Sequence, residues 1–253
     1  MTTVQDILNF VESIAPRDLK MDWDNVGLHC GRRDTPVTKI LVALDPFIHV
    51  CREAADWGAQ VIVTHHPLIF QAPKEITDRT EIGQSILTLC AHGISAINAH
   101  TNLDCADNGV NDVLAQTLGL ENIQTIEGQN LLRMGEYSAE FEAFLAQVKE
   151  KLGCEGLRYV SAGKPVSRVA VGGGSCASAL REVKAAGCDT FVTADVKYNQ
   201  FWDAKNMGIN LIDAGHFHTE NPVVAVLAEK LREKFPEVTV KISETHADCM
   251  KYY

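Results

Sequence analysis

The sequence has no apolar run approaching the ~18 residues that cross a bilayer, so no membrane span is expected. It has no Cys-x-x-Cys: the eight cysteines (30, 51, 90, 105, 154, 176, 188 and 249) are scattered, which excludes a zinc ribbon. The start, Met1-Thr2-Thr3-Val4-Gln5-Asp6, shows neither the basic nor the apolar stretch of a secretory signal. Together these absences predict reduced thiols in a cytoplasmic protein, many of them core fillers. There is no surplus of positive charge. The formal net charge is -10, which disfavours non-specific nucleic-acid binding. Gly172-Gly173-Gly174-Ser175 is not followed by the Gly-Lys-Ser/Thr of a Walker loop.

What is present is ordinary globular material: 253 residues, 46% hydrophobic and 22% charged, enough for one large domain or two lobes. Val4, Ile7, Leu8, Val11 and Ile14 recur at helical spacing, with Thr3 as N-cap. Asp22 to Leu28 reads as a polar turn around a buried Trp23, leading into a short strand. Lys39 to Asp45, Val61 to Thr64 and Ile94 to Asn98 are apolar strands. They alternate with helices over Ile48 to Trp57, Ile82 to Ala91 and Asn111 to Leu118. Such alternation means a parallel or mostly parallel sheet with covering helices. Gln124 to Gly135 reads as a polar crossing, and Phe141 to Leu152 as a helix.

The second half restates the first. Arg168 to Val171 parallels Ile40 to Leu44, and Thr190 to Thr193 parallels Val61 to Thr64. Gly208 to Ala214 parallels Gly93 to Ala99, and Val226 to Leu231 parallels Val113 to Leu118. The expected fold is therefore α/β: two similar lobes with mostly parallel sheets, over residues 1–127 and 128–253, with a metal cleft between them.

The chemistry sits at strand ends, where open α/β sheets bind ligands. Val61-Ile62-Val63 ends in Thr64-His65-His66-Pro67. Proline cannot continue a central strand, so both imidazoles fall in the loop beyond it. On its own the pair also fits a turn with two solvated histidines. Asp104 follows the strand ending at Asn98, and His216 and Glu220 follow the one ending at Asp213. Neutral imidazole and carboxylate suit Zn, Mn, Fe or Ni, and the lack of thiolate ligands argues against a structural zinc cage. His65, His66, Asp104, His216 and Glu220 are too many ligands for one open zinc but fit two divalent ions. Singly, each carboxylate reads equally as a cap or a surface pair. His100 and His218 adjoin these residues and are the candidate catalytic acid or base, or else donors that support a ligand. Secondary candidates are the Gly172–Gly174 turn as a phosphate cradle or tight helix packing, Asp24 and Asn25, and Asp195, Lys197 and Tyr198.

The runs Trp23-Asp24-Asn25-Val26-Gly27-Leu28, Thr64-His65-His66-Pro67, His100-Thr101-Asn102-Leu103-Asp104 and Gly215-His216-Phe217-His218-Thr219-Glu220 resemble the Nif-three-like dinuclear metal centre family, also called GTP cyclohydrolase type 2 homologues. The resemblance covers essentially the whole chain and is to the short form without an inserted domain. It implies two α/β lobes, a toroidal homohexamer, and two metal ions held by His65, His66, Asp104, His216 and Glu220. The activity expected is a metal-dependent hydrolase acting on a nucleotide or related heterocycle. For GTP this means hydroxide attack at C8 of the imidazole ring with a histidine moving protons. A phosphoesterase would use the same centre. The alternative is a non-enzymatic metal carrier or regulatory metal-binding protein, which predicts metal uptake without turnover. A toroid enclosing nucleic acid is opposed by the acidic charge.

Overall fold

The computed structural model describes residues 1–253. In chain order the elements are α1 (Val4–Ile14), β1 (Gly27–Cys30), β2 (Lys39–Ala43), α2 (Ile48–Trp57), β3 (Val61–Thr64), α3 (Glu81–Ala91), β4 (Ser95–Asn98), α4 (Thr101–Cys105) and α5 (Val110–Thr117). They continue with β5 (Glu121–Ile126), β6 (Gln129–Ala139), α6 (Phe141–Leu152), β7 (Arg158–Val160), β8 (Val166–Val171), α7 (Leu180–Ala185), β9 (Thr190–Thr193), α8 (Tyr198–Met207), β10 (Asn210–Asp213), α9 (His216–Glu220), α10 (Pro222–Lys234) and β11 (Thr239–Ile242). No helix is long and apolar enough to cross a membrane.

The helix periodicities translate directly. α1 starts at a capping box in which Thr3 and Asp6 satisfy each other's backbone N–H groups, and it buries Val4, Ile7, Leu8 and Val11. The expected polar crossing at Gln124 to Gly135 is instead a hairpin. β5 and β6 pair antiparallel from Glu121↔Glu136 to Ile126↔Gln129 across a two-residue turn. Alternating Leu132, Met134 and partners give one apolar face, so the polar residues there are the solvent side of a strand rather than a linker.

The chain separates into two compact units: Met1–Asp107 with Val224–Ala247, and Asn108–Val223 with Asp248–Tyr253. This differs from lobes divided at 127. α5, which follows the strands of the first unit, belongs to the second, and all of α10 but its first two residues belongs to the first. Sequence position assigned each helix to the strands before it. Their apolar faces are used elsewhere: Leu114 and Ala115 of α5, and Leu118 at its C-terminal cap, pack with Phe144 and Val148 of α6 and Val169 of β8.

The first unit holds a five-stranded sheet, β1-β4-β3-β2-β11, parallel except for the edge pair β1/β4. Leu41, Ala43 and Ile62 face α2 and α3 through Val50, Cys51, Ala54 and Leu89. The alternating Ile40, Val42, Val61 and Val63 are also fully buried, so both faces are covered. The second unit's sheet, β5-β6-β8-β9-β10-β7, keeps a parallel centre β8-β9-β10. Val169, Val171, Val192 and Ile212 pack on α5 and α6, while Ala170, Phe191 and Leu211 pack on α7 and α8.

The internal repeat holds at the level of register. Val61↔Ser95 through Thr64↔Asn98 in the first sheet match Asn210↔Thr190 through Asp213↔Thr193 in the second. Antiparallel β1 and β7 flank them at Gly27↔Asn98 and Asp213↔Arg158. Four strands with the same connectivity therefore recur, and all five candidate ligands, with His100 and His218, lie beyond the C-terminal ends of β3, β4 and β10.

Candidate metal centre

In the first unit, His65 and His66 leave the end of β3. His65 is fully buried and its Nδ1 donates to the Ala99 carbonyl at 2.9 Å. A carbonyl only accepts, so Nε2 carries the lone pair. That nitrogen stands 3.7 Å from Asp104 Oδ1, on the one-turn helix α4. His66 Nδ1 donates to Asp45 Oδ1 at 2.6 Å, and Asp45 Oδ2 accepts from His246 Nε2 at 2.9 Å. Burial would raise the Asp45 carboxyl, but the hydrogen bonds from His246 and His66 outweigh it and hold it well below the carboxylate range. His100 precedes α4, and its Nδ1 donates to Asp24 Oδ1 at 2.8 Å. Asp24 Oδ2 accepts from the Thr101 N–H at 3.0 Å and from the Thr101 hydroxyl. These bonds likewise outweigh burial and keep Asp24 ionised. The donor nitrogens of His65, His66 and His100 all lie within 4.8 Å of one another.

In the second unit, His216 opens the five-residue helix α9. Its Nδ1 donates to Asp195 Oδ2 at 2.7 Å and its Nε2 faces Glu220 Oε2 at 3.0 Å. Asp195 holds this place with φ of 52°, a left-handed backbone that an aspartate adopts at a cost. The Gly172–Gly174 turn is close packing, not an anion cradle. Gly173 N–H donates to Asn111 Oδ1 at 2.7 Å and Gly174 N–H to Thr219 Oγ1 at 3.0 Å, so both amides are engaged. A Cβ on Gly174 would stand 2.2 Å from Glu220 Oε1 and 3.1 Å from the His216 ring, and φ there is 61°. The glycines make room for the carboxylate.

The donor set suits a metal. Histidine ligands to metals regularly give their other ring nitrogen to a carboxylate or carbonyl, which fixes the tautomer and orients the lone pair. His65, His66, His100 and His216 are all held this way. His218 is also held at Nδ1, by the Leu152 carbonyl of α6 at 3.1 Å, but its Nε2 faces Asp248 Oδ2 of the C-terminal segment at 3.3 Å. Its placement does not support the acid–base role expected for it.

Sequence reasoning missed Asp45 and His246, whose signal lies only in their chain separation collapsing in the fold. It placed Trp23 inside. Trp23 is 61% exposed and Asp24 beside it is buried, the reverse of what hydropathy suggests. Lys197 caps α8 and Tyr198 is exposed; neither joins the His216–Glu220 pair. Burial lifts the thiols of Cys51, Cys154 and Cys188 to about 11, in keeping with core fillers.

Two α/β sheets with oriented imidazoles and carboxylates at their strand ends define a protein with side chains suited to holding a metal ion. The chain belongs to the Duf34/NIF3 (NGG1p interacting factor 3) family, whose match runs over residues 2–249. A Clostridium perfringens protein named GTP cyclohydrolase 1 type 2 homolog is 36% identical over 240 residues, 91% of this chain and 92% of its own. A Helicobacter pylori protein named GTP cyclohydrolase 1 type 2 is 31% identical over 241 residues, 95% of this chain and 96% of its own. Among solved structures, the Staphylococcus aureus protein SA1388 superposes with a TM-score of 0.91 at 28% identity, covering 100% of this chain and 99% of its own. Reduced HcgD from Methanocaldococcus jannaschii gives 0.85 at 29% identity, over 96% and 98% of the two chains.

Proposed function

We propose that this protein is a metal-dependent hydrolase acting on a nucleotide or related heterocycle. The observation that carries this reading is His100. Asp24 anchors its Nδ1, and its ring brings a nitrogen within 4.8 Å of nitrogens of His65 and His66. A base held by a buried carboxylate beside metal-suited donors is the equipment for hydrolysis. The names of the Clostridium and Helicobacter relatives point to the same substrate class.

His65, His66, Asp104, His216 and Glu220 would serve as ligands of two divalent ions. Bound there, the ions would polarise the bond under attack and lower the pKa of a water. The chain's own part is to orient donors through Ala99, Asp45 and Asp195, and to accept and return a proton at His100 Nε2. The homohexamer implied by the family resemblance belongs to the same proposal, and sedimentation equilibrium tests it by mass.

The test is turnover of a nucleotide panel by metal-replete, untagged protein, with metal content measured on the same sample. About two ions per chain, lost in His66→Ala and in Glu220→Ala, are expected. His100→Ala should keep its metal and lose roughly 100- to 10,000-fold in rate. Full metal content with no turnover on any nucleotide would leave a metal carrier as the correct reading.

A further inference from the structure

Trp23 and Phe70 are large apolar side chains left 61% and 48% exposed, yet the backbone beneath them is pinned. Met21 N–H donates to Thr101 Oγ1 at 2.9 Å. Asp24 is bonded to His100 and Thr101. Asn25 Nδ2 donates to the Ile69 carbonyl at 2.7 Å, and Ile69 N–H donates to His29 Nδ1 at 3.1 Å. Asn98 Nδ2 donates in turn to the Asn25 carbonyl at 3.1 Å. One asparagine thus ties the turn carrying Trp23 to the loop carrying Phe70.

The rings form a corner. Trp23 and Phe70 have centroids 5.8 Å apart at 67°, and each stands 6.2 Å from the ring of His100. His100 also lies edge-to-face with His65 at 5.2 Å and His66 at 5.5 Å. The indole and phenyl therefore border the imidazole cluster. Leaving two aromatic rings in water forgoes the stabilisation that burying them would bring. Exposed rings on an ordered backbone are also prepaid in entropy for a ligand that covers them. Asp24, Asp45 and Asp104 surround the imidazoles, while the Trp23 and Phe70 rings beside them carry no charge.

We propose that Trp23 and Phe70 are the walls of a stacking site for a flat nitrogen heterocycle, whose edge they present to His100. The proposal deepens the hydrolase reading and rests on it only for the chemistry that follows binding. π-faces are sequence-tolerant platforms for bases. A ring held here is aligned with a proton-accepting nitrogen, while charged parts of the same ligand lie outside the corner. Substrate selection would then depend on the heterocycle more than on its phosphates.

Calorimetric titration of the full-length, metal-replete protein tests this, with guanosine and ribose 5-phosphate as separate probes. Guanosine is expected to bind, and ribose 5-phosphate to bind far more weakly. Trp23→Ala and Phe70→Ala should each weaken guanosine roughly 5- to 150-fold, with metal content and sedimentation unchanged. Trp23→Phe should restore most of the affinity. Equal binding of both probes, no guanosine binding by the wild type, or unaltered affinity in Trp23→Ala overturns the proposal. So does a change of association state in the two alanine variants, which would make the corner a contact between copies of the chain. Loss of metal without loss of guanosine binding would instead strike the hydrolase reading and leave the stacking site standing.

Discussion

In the first unit the end of β3 carries two histidines, and the end of β2 carries Asp45, which orients one of them. In the second unit the matching places hold different residues. Three positions past the paired Val42 and Val171 stand Asp45 and Gly174; three past the paired Val63 and Val192 stand His66 and Asp195. The supporting carboxylate has moved one strand along, and so has the histidine it supports, His216 after β10. Where Asp45 fills the end of β2, a glycine turn clears the end of β8 for Glu220. The repeat copied the frame and not the chemistry. One unit offers clustered imidazoles with an inward carboxylate, the other a single imidazole and a carboxylate on one helical turn.

That contrast can be broken at its sharpest point, Gly174. Gly174→Ala combines a left-handed backbone with a Cβ driven into Glu220, and should lower unfolding free energy by about 3 kcal/mol. Asp45→Gly at the matching position should cost less, about 1–2 kcal/mol, by stranding the N–H groups of His66 and His246. Urea midpoints compare the two. If Gly174→Ala is the milder change, the glycine turn is not making room for the carboxylate.

A smaller effect separates the two supporting aspartates. Asp45→Asn and Asp195→Asn should each weaken metal binding, within roughly 10- to 100-fold. The Asp195 side chain is 48% exposed against 15% for Asp45, so water replaces it more easily and its loss should fall at the low end. Chelator competition reads both affinities, and the reverse order would place the stronger support in the second unit.

The smallest effect concerns how each unit holds the C-terminal segment. In the first, Glu53 accepts from the Ser243 and Thr245 hydroxyls and from the Glu244 N–H; in the second, His218 meets Asp248. Burial would raise the Glu53 carboxyl, but these bonds bring it down to about 2 from 4.5. A depressed folded pKa contributes stability that is present above about 4.5 and lost as pH falls through about 2. Glu53→Gln should therefore cost about 1 kcal/mol at pH 7, and the gap to wild type should close toward pH 2 in thermal melts. A gap that does not narrow with acid would mean the carboxylate charge contributes nothing.

Much of this was legible in the chain because it is local. Helical spacing with Thr3 before it marks α1, and an apolar run halted by His66-Pro67 marks the end of β3. Equal spacing of glycines and apolar runs marks the repeat. What escaped depends on residues far apart in sequence. Asp24 is buried because His100 and Thr101, 76 and 77 positions away, satisfy it, and Trp23 is then turned outward. The β5–β6 hairpin looked like a linker because one of its faces is polar. The assignment of α5 and α10 to units was hidden because an amphipathic helix does not state which sheet its apolar face will cover.

That last arrangement has a cost measured in time. β11 pairs with the outer edge of β2, yet it is made after every strand of the second sheet. From the completion of residue 107 until residue 247 is added, the first unit waits with an unpaired parallel edge. At ordinary elongation rates that interval is on the order of ten seconds. An open edge of Ile40, Leu41 and Val42 is a template for pairing with another nascent chain. That edge is thus open to pairing until β11 is made, and a chain ending before residue 239 would keep it open for its lifetime.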